Sequence, residues 1–235
     1  MVNNGTRKVV PFASGHLWAQ CVLILLAVLV VLDIVAVVSG YIEIRLISGA
    51  MRGETVTMAE ATASDSRQAV INHIYIVLFN ITTILFCIWI YRAHRNLPSL
   101  GASGLKYSPW WAVGGFFIPF LNLVRPLQVT TEIWKASDPI TDINDGVTWQ
   151  SAPTSPFIIS WWVLFLILIS GLLGNLILRL SLQAETLGEM LTKSWVAFAT
   201  DIVEIPTAIL LTLVIRNIDL RQAKKNQLLI TRITI

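Results

Sequence analysis

Long apolar runs separated by short polar segments set the pattern of this sequence. The four longest runs contain between 21 and 25 residues each and cover 17–41, 70–91, 157–178 and 195–215. A helix of about 20 apolar residues crosses the ~30 Å hydrocarbon core of a bilayer. The pattern therefore predicts an all-α, polytopic membrane helical bundle with four spanning helices, which form a single integral membrane domain over residues 1–235.

A fifth apolar stretch, residues 109–126 (PWWAVGGFFIPFLNLVRP), is interrupted by residues that break helices. Its uncharged part is 15 residues long, which as a helix reaches only about 22 Å. Proline removes a backbone donor and clashes with the preceding turn, so we expect a bend between residues 115 and 119. The segment is predicted to be re-entrant or a short fifth span, and its motif residues are Gly114, Gly115, Pro119, Asn122, Arg125 and Pro126.

The distribution of lysine and arginine favours the re-entrant path. Cytoplasmic flanks of membrane helices collect these residues. If residues 109–126 cross, the 17 cations divide 7 against 10 between the two sides, and if they do not cross, the division is 12 against 5. The five on the opposite side are then Arg45, Arg52, Arg67, Arg179 and Lys193. The stronger bias predicts four spans with both termini in the cytoplasm.

Two segments next to these spans carry helix signals, and a third is rich in cations. Thr57 and Glu60 have the spacing of a capping box and predict a helix that begins near Met58. Residues 126–137 begin with a proline suited to a first helical turn and mix polar with apolar side chains, which predicts a short interfacial helix. Residues 216–235 form a basic tail, which the charge rule places in the cytoplasm.

The composition supports a membrane protein and argues against other classes. Hydrophobic residues make up 55% of the chain and charged residues 13%, whereas a soluble domain is about a quarter charged. The first run is too long for a signal peptide and is interrupted by Asp33, so we expect a retained helix. The net charge of +3 comes from cations at span ends, which argues against a nucleic-acid partner. Cys21 and Cys87 lie in apolar runs and are not expected to form a disulfide.

Ionisable residues inside the spans are the main candidates for a functional site, because they are costly in hydrocarbon. Asp201 and Glu204 are three residues apart and share a helix face, and Arg179 is the cation expected nearby. The expected intramembrane polar cluster contains Asp33, His73, Asn80, Asn175, Arg179, Asp201 and Glu204. Two interpretations stay open. The cluster is either an ion-pair network that fixes helix packing or a water-accessible site for protons or a small cation.

No motif for catalysis, metal or cofactor binding accompanies this cluster. The sequence lacks His-Glu-x-x-His, Gly-x-Ser-x-Gly and a phosphate-binding glycine loop. His16 with Cys21, and Cys87 with His94, are too far apart along a helix for each pair to share one ion. We therefore expect no catalytic residue, no metal and no cofactor.

The basic tail offers a candidate lipid contact. Arg221, Lys224 and Lys225 lie at spacings of 3 and 4. One helical face could therefore present all three cations to anionic lipid. The alternative is that the charges only hold the C-terminus in the cytoplasm.

Several motifs together resemble a known family. They are Phe86-Cys-Ile-Trp-Ile-Tyr-Arg92, Ser108-Pro-Trp-Trp-Ala-Val-Gly-Gly115, Glu132-Ile-Trp-Lys-Ala-Ser137 and the pair Trp161-Trp162. In combination they resemble a bacterial membrane family known as domain of unknown function forty-three twenty-eight. The resemblance implies a compact helical bundle in the bacterial cell (inner) membrane, and it brings no reaction.

Two functions follow as expectations. The first is a non-enzymatic membrane protein that associates with itself, with another membrane protein or with membrane lipids through its broken segment and basic tail. The alternative is a small channel or proton/cation-linked permease that uses the acidic cluster.

Overall fold

All the secondary structure of the described chain is helical. The computed structural model describes residues 11–141, 148–181 and 186–234, with side chains outside 172–181 and 233–234. Within these ranges there are six α-helices and no strand. The helices are α1 (His16–Met51), α2 (Met58–Arg95), α3 (Pro109–Gly114), α4 (Arg125–Ala136), α5 (Pro156–Ser181) and α6 (Leu187–Thr234). The prediction of an all-α protein is confirmed.

Three helices, α1, α2 and α6, are long and apolar enough to cross a membrane. Helix α5 has an apolar stretch over Pro156–Gly171, which is shorter. The count of four spans therefore stays a prediction. Helix α2 begins at Met58, and the predicted capping box is formed: the Thr57 amide donates to the Glu60 carboxylate at 2.9 Å, and the Glu60 amide donates to the Thr57 hydroxyl at 3.2 Å.

The chain divides into two compact units. Unit 1 comprises Met1–Leu23, Ile84–Ile159 and Leu213–Ile235, and unit 2 comprises Ile24–Thr83 and Ser160–Thr212. The core of unit 1 contains buried apolar side chains from three helices, which are Trp89, Ile90 and Ala93 of α2, Val129, Ile133 and Trp134 of α4, and Val214, Ile215 and Ile218 of α6.

Unit 2 buries polar as well as apolar groups. The Arg67 guanidinium donates to the Ser39 hydroxyl at 2.7 Å, and the Gln68 amide donates to the Glu43 carboxylate at 2.5 Å. These bonds join α1 to α2. The Phe198 ring of α6 packs near Gly40 of α1, where a Cβ would lie at an ordinary contact distance of 3.6 Å.

The lysines and arginines that the four-span prediction places on one side of the membrane also belong to one unit. Of the twelve assigned to the cytoplasmic side, ten fall in the described part of unit 1, and Arg7 and Lys8 lie outside the described residues. The other five fall within the sequence ranges of unit 2.

The segment predicted to be broken folds back on itself within unit 1. Helix α3 ends at Gly114 and α4 begins at Arg125. Between them, Phe120 has a φ of 63°, a left-handed conformation that is unfavourable for a residue with a bulky side chain. The two ends of the segment are in contact, since the Arg125 guanidinium carbon lies 4.8 Å from the Tyr107 ring centroid. The chain therefore returns close to the point where this segment began.

We predict that the two adjacent glycines differ in their tolerance of a methyl group. A Cβ at Gly115 would lie 2.6 Å from Arg125 Cγ and 3.1 Å from the Trp111 carbonyl oxygen, whereas a Cβ at Gly114 meets nothing within 4 Å. Gly115→Ala should therefore destabilise the protein by about 1–3 kcal/mol. Gly114→Ala is the matched control and should be neutral or slightly stabilising. Thermal unfolding in detergent measures both, and equal melting temperatures would contradict the close packing at Gly115.

Candidate functional site

Unit 2 brings three of the predicted acidic residues together with one tyrosine. Asp33 comes from α1, Tyr75 from α2, and Asp201 and Glu204 from α6. The Tyr75 hydroxyl donates to the Glu204 carboxylate at 2.6 Å. The Asp33 carboxyl interacts electrostatically with both Glu204 and Asp201. We refer to these four residues as the carboxyl cluster.

Asp33 is the least satisfied member of the carboxyl cluster. Its side chain is only 2% exposed, and its Oδ1 atom is buried without a hydrogen-bond partner. Among the side chains that the structure describes, no cation forms an ion pair with Asp33, Asp201 or Glu204. A buried charge without a partner is strongly unfavourable.

The other predicted members of the polar cluster lie elsewhere or outside the description. His73 and Asn80 are exposed, and each bonds the backbone carbonyl four residues earlier in its own helix, at 2.6 and 2.7 Å. Their assignment to the cluster is therefore corrected: a polar side chain on a helix can satisfy itself locally. Asn175 and Arg179 belong to α5, but their side chains lie outside the described part of the chain.

Sequence reasoning missed Tyr75. The signal for it was present, because a tyrosine hydroxyl inside an apolar span usually finds a hydrogen-bond partner, and the acidic residues of the other spans offer acceptors. Within the described ranges, no three His, Cys, Asp or Glu side chains are arranged to hold a metal ion.

Unit 1 contains a second polar network, centred on Glu132 of α4. Its carboxylate accepts hydrogen bonds from the backbone amides of Lys106 and Tyr107, at 2.7 and 3.3 Å. His94 of α2 places its Nε2 3.0 Å from the same carboxylate. Both side chains of this pair are buried. The sequence predicted α4 as an interfacial helix with Glu132 among its polar residues, and the structure places Glu132 inside unit 1.

The last part of α6 supplies donors to the end of α4. Arg221 donates to the Trp134 carbonyl at 3.2 Å, and Lys225 donates to the Ala136 carbonyl at 3.0 Å. Gln222 donates to the Ser137 hydroxyl at 3.1 Å. The last carbonyls of a helix lack partners within it and carry partial negative charge, so cationic donors stabilise this end.

This arrangement corrects the predicted lipid contact. Lys225 is completely buried, and Arg221 forms an ion pair with Asp138 at 3.2 Å, with its guanidinium 4.0 Å from the Trp134 ring centroid. Only Lys224 of the three is exposed. The spacing of 3 and 4 does place two cations on one helical face, but that face packs against protein.

A family comparison agrees with the resemblance seen in the motifs. The family described as Domain of unknown function (DUF4328) matches residues 52–220. The chain belongs to this family. The DUF4328 region includes all of α2 through α5 and the part of α6 up to Leu220, so it contains Tyr75, Glu132, Asp201 and Glu204. No curated protein and no solved structure matches the chain significantly.

We predict that Lys225 and Lys224 differ in their contribution to stability. Lys225→Met removes the donor to the buried Ala136 carbonyl and should destabilise the protein by about 1–3 kcal/mol. Lys224→Met removes the same charge from an exposed position and should change the stability by less than about 0.5 kcal/mol. Thermal unfolding of the two variants measures the difference. Similar losses would mean that the charge itself, and not the contact with α4, matters.

Proposed function

We propose that this DUF4328 protein is a non-enzymatic membrane protein that takes up and releases protons at the carboxyl cluster. The observation that carries the proposal is the buried Asp33 Oδ1 atom, which has no partner and faces the electrostatic influence of two further carboxyl groups. Of the two functions that the sequence leaves open, this geometry favours the proton-linked one. The lack of motifs for catalysis supports a role other than an enzyme.

The physical argument rests on the cost of charge in hydrocarbon. Three neighbouring carboxyl groups on spanning helices are costly when all are charged, and the described side chains supply no cation that pairs with them. Tyr75 can donate to an ionised Glu204, which leaves Asp33 and Asp201 as the groups that gain or lose protons. Intramembrane carboxyl groups of this kind commonly belong to proton relays.

The proposed topology has four spans and both termini in the cytoplasm of a bacterial cell. The contact between Tyr107 and Arg125 supports it, because two residues on opposite sides of a ~30 Å layer could not touch. The grouping of ten cations in unit 1 supports it as well, since these would then occupy the cytoplasmic side.

Proton flux into liposomes tests this function. The full chain is reconstituted with a pH-sensitive dye inside, and a negative internal potential is imposed. The variant Asp33→Asn/Asp201→Asn/Glu204→Gln keeps the shapes of the side chains but cannot exchange protons. We expect wild-type liposomes to acidify and the variant to behave like empty liposomes. Asp65→Asn, at an exposed position of unit 2, is the matched control and should behave like the wild type.

Two results would contradict the proton function. One is equal acidification by the wild type and the triple variant. The other is wild-type flux no faster than that of empty liposomes. If, in addition, Arg179→Ala lowers the thermal stability and neutralising Asp201 and Glu204 restores it, the cluster is an ion-pair network, because an unpaired buried charge costs more than an absent pair.

A second candidate function is association with one lipid leaflet through α3 and the segment between α3 and α4. The side chains of Trp110, Phe117 and Phe120 are 73%, 60% and 85% exposed, respectively. Large apolar side chains exposed so close together in the sequence are candidates for an interaction surface. The contact between the two ends of the segment supports an entry into the leaflet from one side.

We predict that residue 120 lies among acyl chains. Cys21 and Cys87 are first replaced by alanine, and a nitroxide label is then attached at Phe120→Cys in liposomes. The label should be relaxed more strongly by oxygen, which concentrates in the bilayer, than by a water-soluble nickel complex. A label at Lys224→Cys, which is exposed on α6, should show the reverse. Preferential relaxation of residue 120 by nickel would place the segment in water.

A further inference from the structure

A groove in unit 1 has the size of a small-molecule site. It lies between the 104–107 loop, α4 and the turn at 149–150, and its volume is about 580 Å³. Sites for small ligands range from about 300 to 1,000 Å³. The side chains that matter for its chemistry are Lys106, Tyr107, Gln128, Lys135, Trp149 and Gln150. We refer to it as the Lys106–Lys135 groove.

The charge of this groove is positive. Lys106 is exposed and Lys135 is half-buried, and both line the space. Among the described residues that line it, Glu132 is the one carboxylate, and its oxygens accept from two backbone amides and lie beside the His94 imidazole. Two ammonium groups against one carboxylate leave the described lining with a net positive charge, so an anion entering the groove meets a favourable field.

Uncharged hydrogen-bond donors also line the groove. The Tyr107 hydroxyl donates to the Gln128 side-chain oxygen at 2.8 Å, and Arg125 donates to the same oxygen at 3.4 Å. The oxygen is thereby occupied, and the Gln128 amide nitrogen is left to donate. A further amide is available on Gln150, whose backbone carbonyl accepts from Lys135 at 3.3 Å. The groove thus offers several donors and few acceptors.

We propose that the Lys106–Lys135 groove binds a phosphate group. A phosphate ester presents up to three anionic oxygens and up to two charges, which matches two ammonium groups flanked by amide donors. A carboxylate presents two oxygens and one charge and would leave one lysine without a partner. The phosphate belongs either to a soluble phosphate ester or to the head group of an anionic lipid. This site is separate from the carboxyl cluster, so neither proposal depends on the other.

The binding of two probes tests the site and shows which kind of molecule carries the phosphate group. The full chain is held in nanodiscs of pure phosphatidylcholine and titrated with radiolabelled inorganic phosphate. In a parallel arm, the chain is extracted from vesicles of phosphatidylcholine and phosphatidic acid, and the phosphatidic acid that remains bound is measured by mass spectrometry. Both arms use the wild type, the groove variant Lys106→Gln/Lys135→Gln and the charge-matched control Arg216→Gln/Lys224→Gln, whose two positions are exposed.

We expect the groove variant to bind about tenfold to thirtyfold more weakly at low ionic strength, and the difference should shrink as salt is added. The control should stay within about twofold of the wild type, because its cations are exposed and lie outside the groove. Lys106→Arg/Lys135→Arg keeps both charges and should retain binding, which separates loss of charge from loss of folding. Thermal unfolding of every variant accompanies the titrations.

Each outcome decides the proposal. A selective loss of inorganic phosphate alone assigns a soluble ester, and a selective loss of phosphatidic acid alone assigns a lipid head group. A loss in both arms supports a general phosphate site. The proposal is overturned if the wild type binds neither probe, if the groove variant binds like the wild type, or if the control loses as much as the groove variant.

Discussion

The fold of unit 1 depends on the need to satisfy one buried carboxylate. Glu132 has almost no contact with solvent, so its charge must be met by protein donors. Those donors come from two other parts of the chain: the backbone of residues 106 and 107, and the imidazole of His94 at the end of α2. The same bonds that satisfy the charge hold the loop before α3 against α4. This attachment holds together the two parts of the chain that flank residues 109–124.

The helices and their order could be predicted from the sequence because they depend on local signals. These signals are apolar runs of sufficient length, the Thr57–Glu60 capping box and the break after Gly114. Each of them involves residues that are close together in the sequence. The grouping of Asp33 with Asp201 and Glu204 was also accessible, since charged groups in separate spans have few alternatives to one another.

The partners of the tail were not accessible from the sequence. Arg221 and Lys225 have the spacing of a lipid-binding face, and nothing in that spacing distinguishes a lipid head group from the carbonyl end of α4. The same holds for Glu132, whose burial depends on a loop about 25 residues earlier in the chain. The prediction that His73 and Asn80 belong to the polar cluster was wrong for the opposite reason, because each forms its hydrogen bond within its own helix. Long-range packing decides such cases, and single-sequence patterns do not contain it.

Because unit 1 is built from three separate stretches of the sequence, its parts are synthesised at different times. Its ranges, Met1–Leu23, Ile84–Ile159 and Leu213–Ile235, are separated by long stretches of chain. Gln222 donates to the Ala93 carbonyl at 2.8 Å across 129 positions. Contacts of such separation form slowly, because a long loop must close before they provide any gain. The Ala93 carbonyl of α2 and the carbonyls at the end of α4 therefore lack these donors until the ribosome has made residues 221–225 of α6, which join parts of unit 1 that were made much earlier.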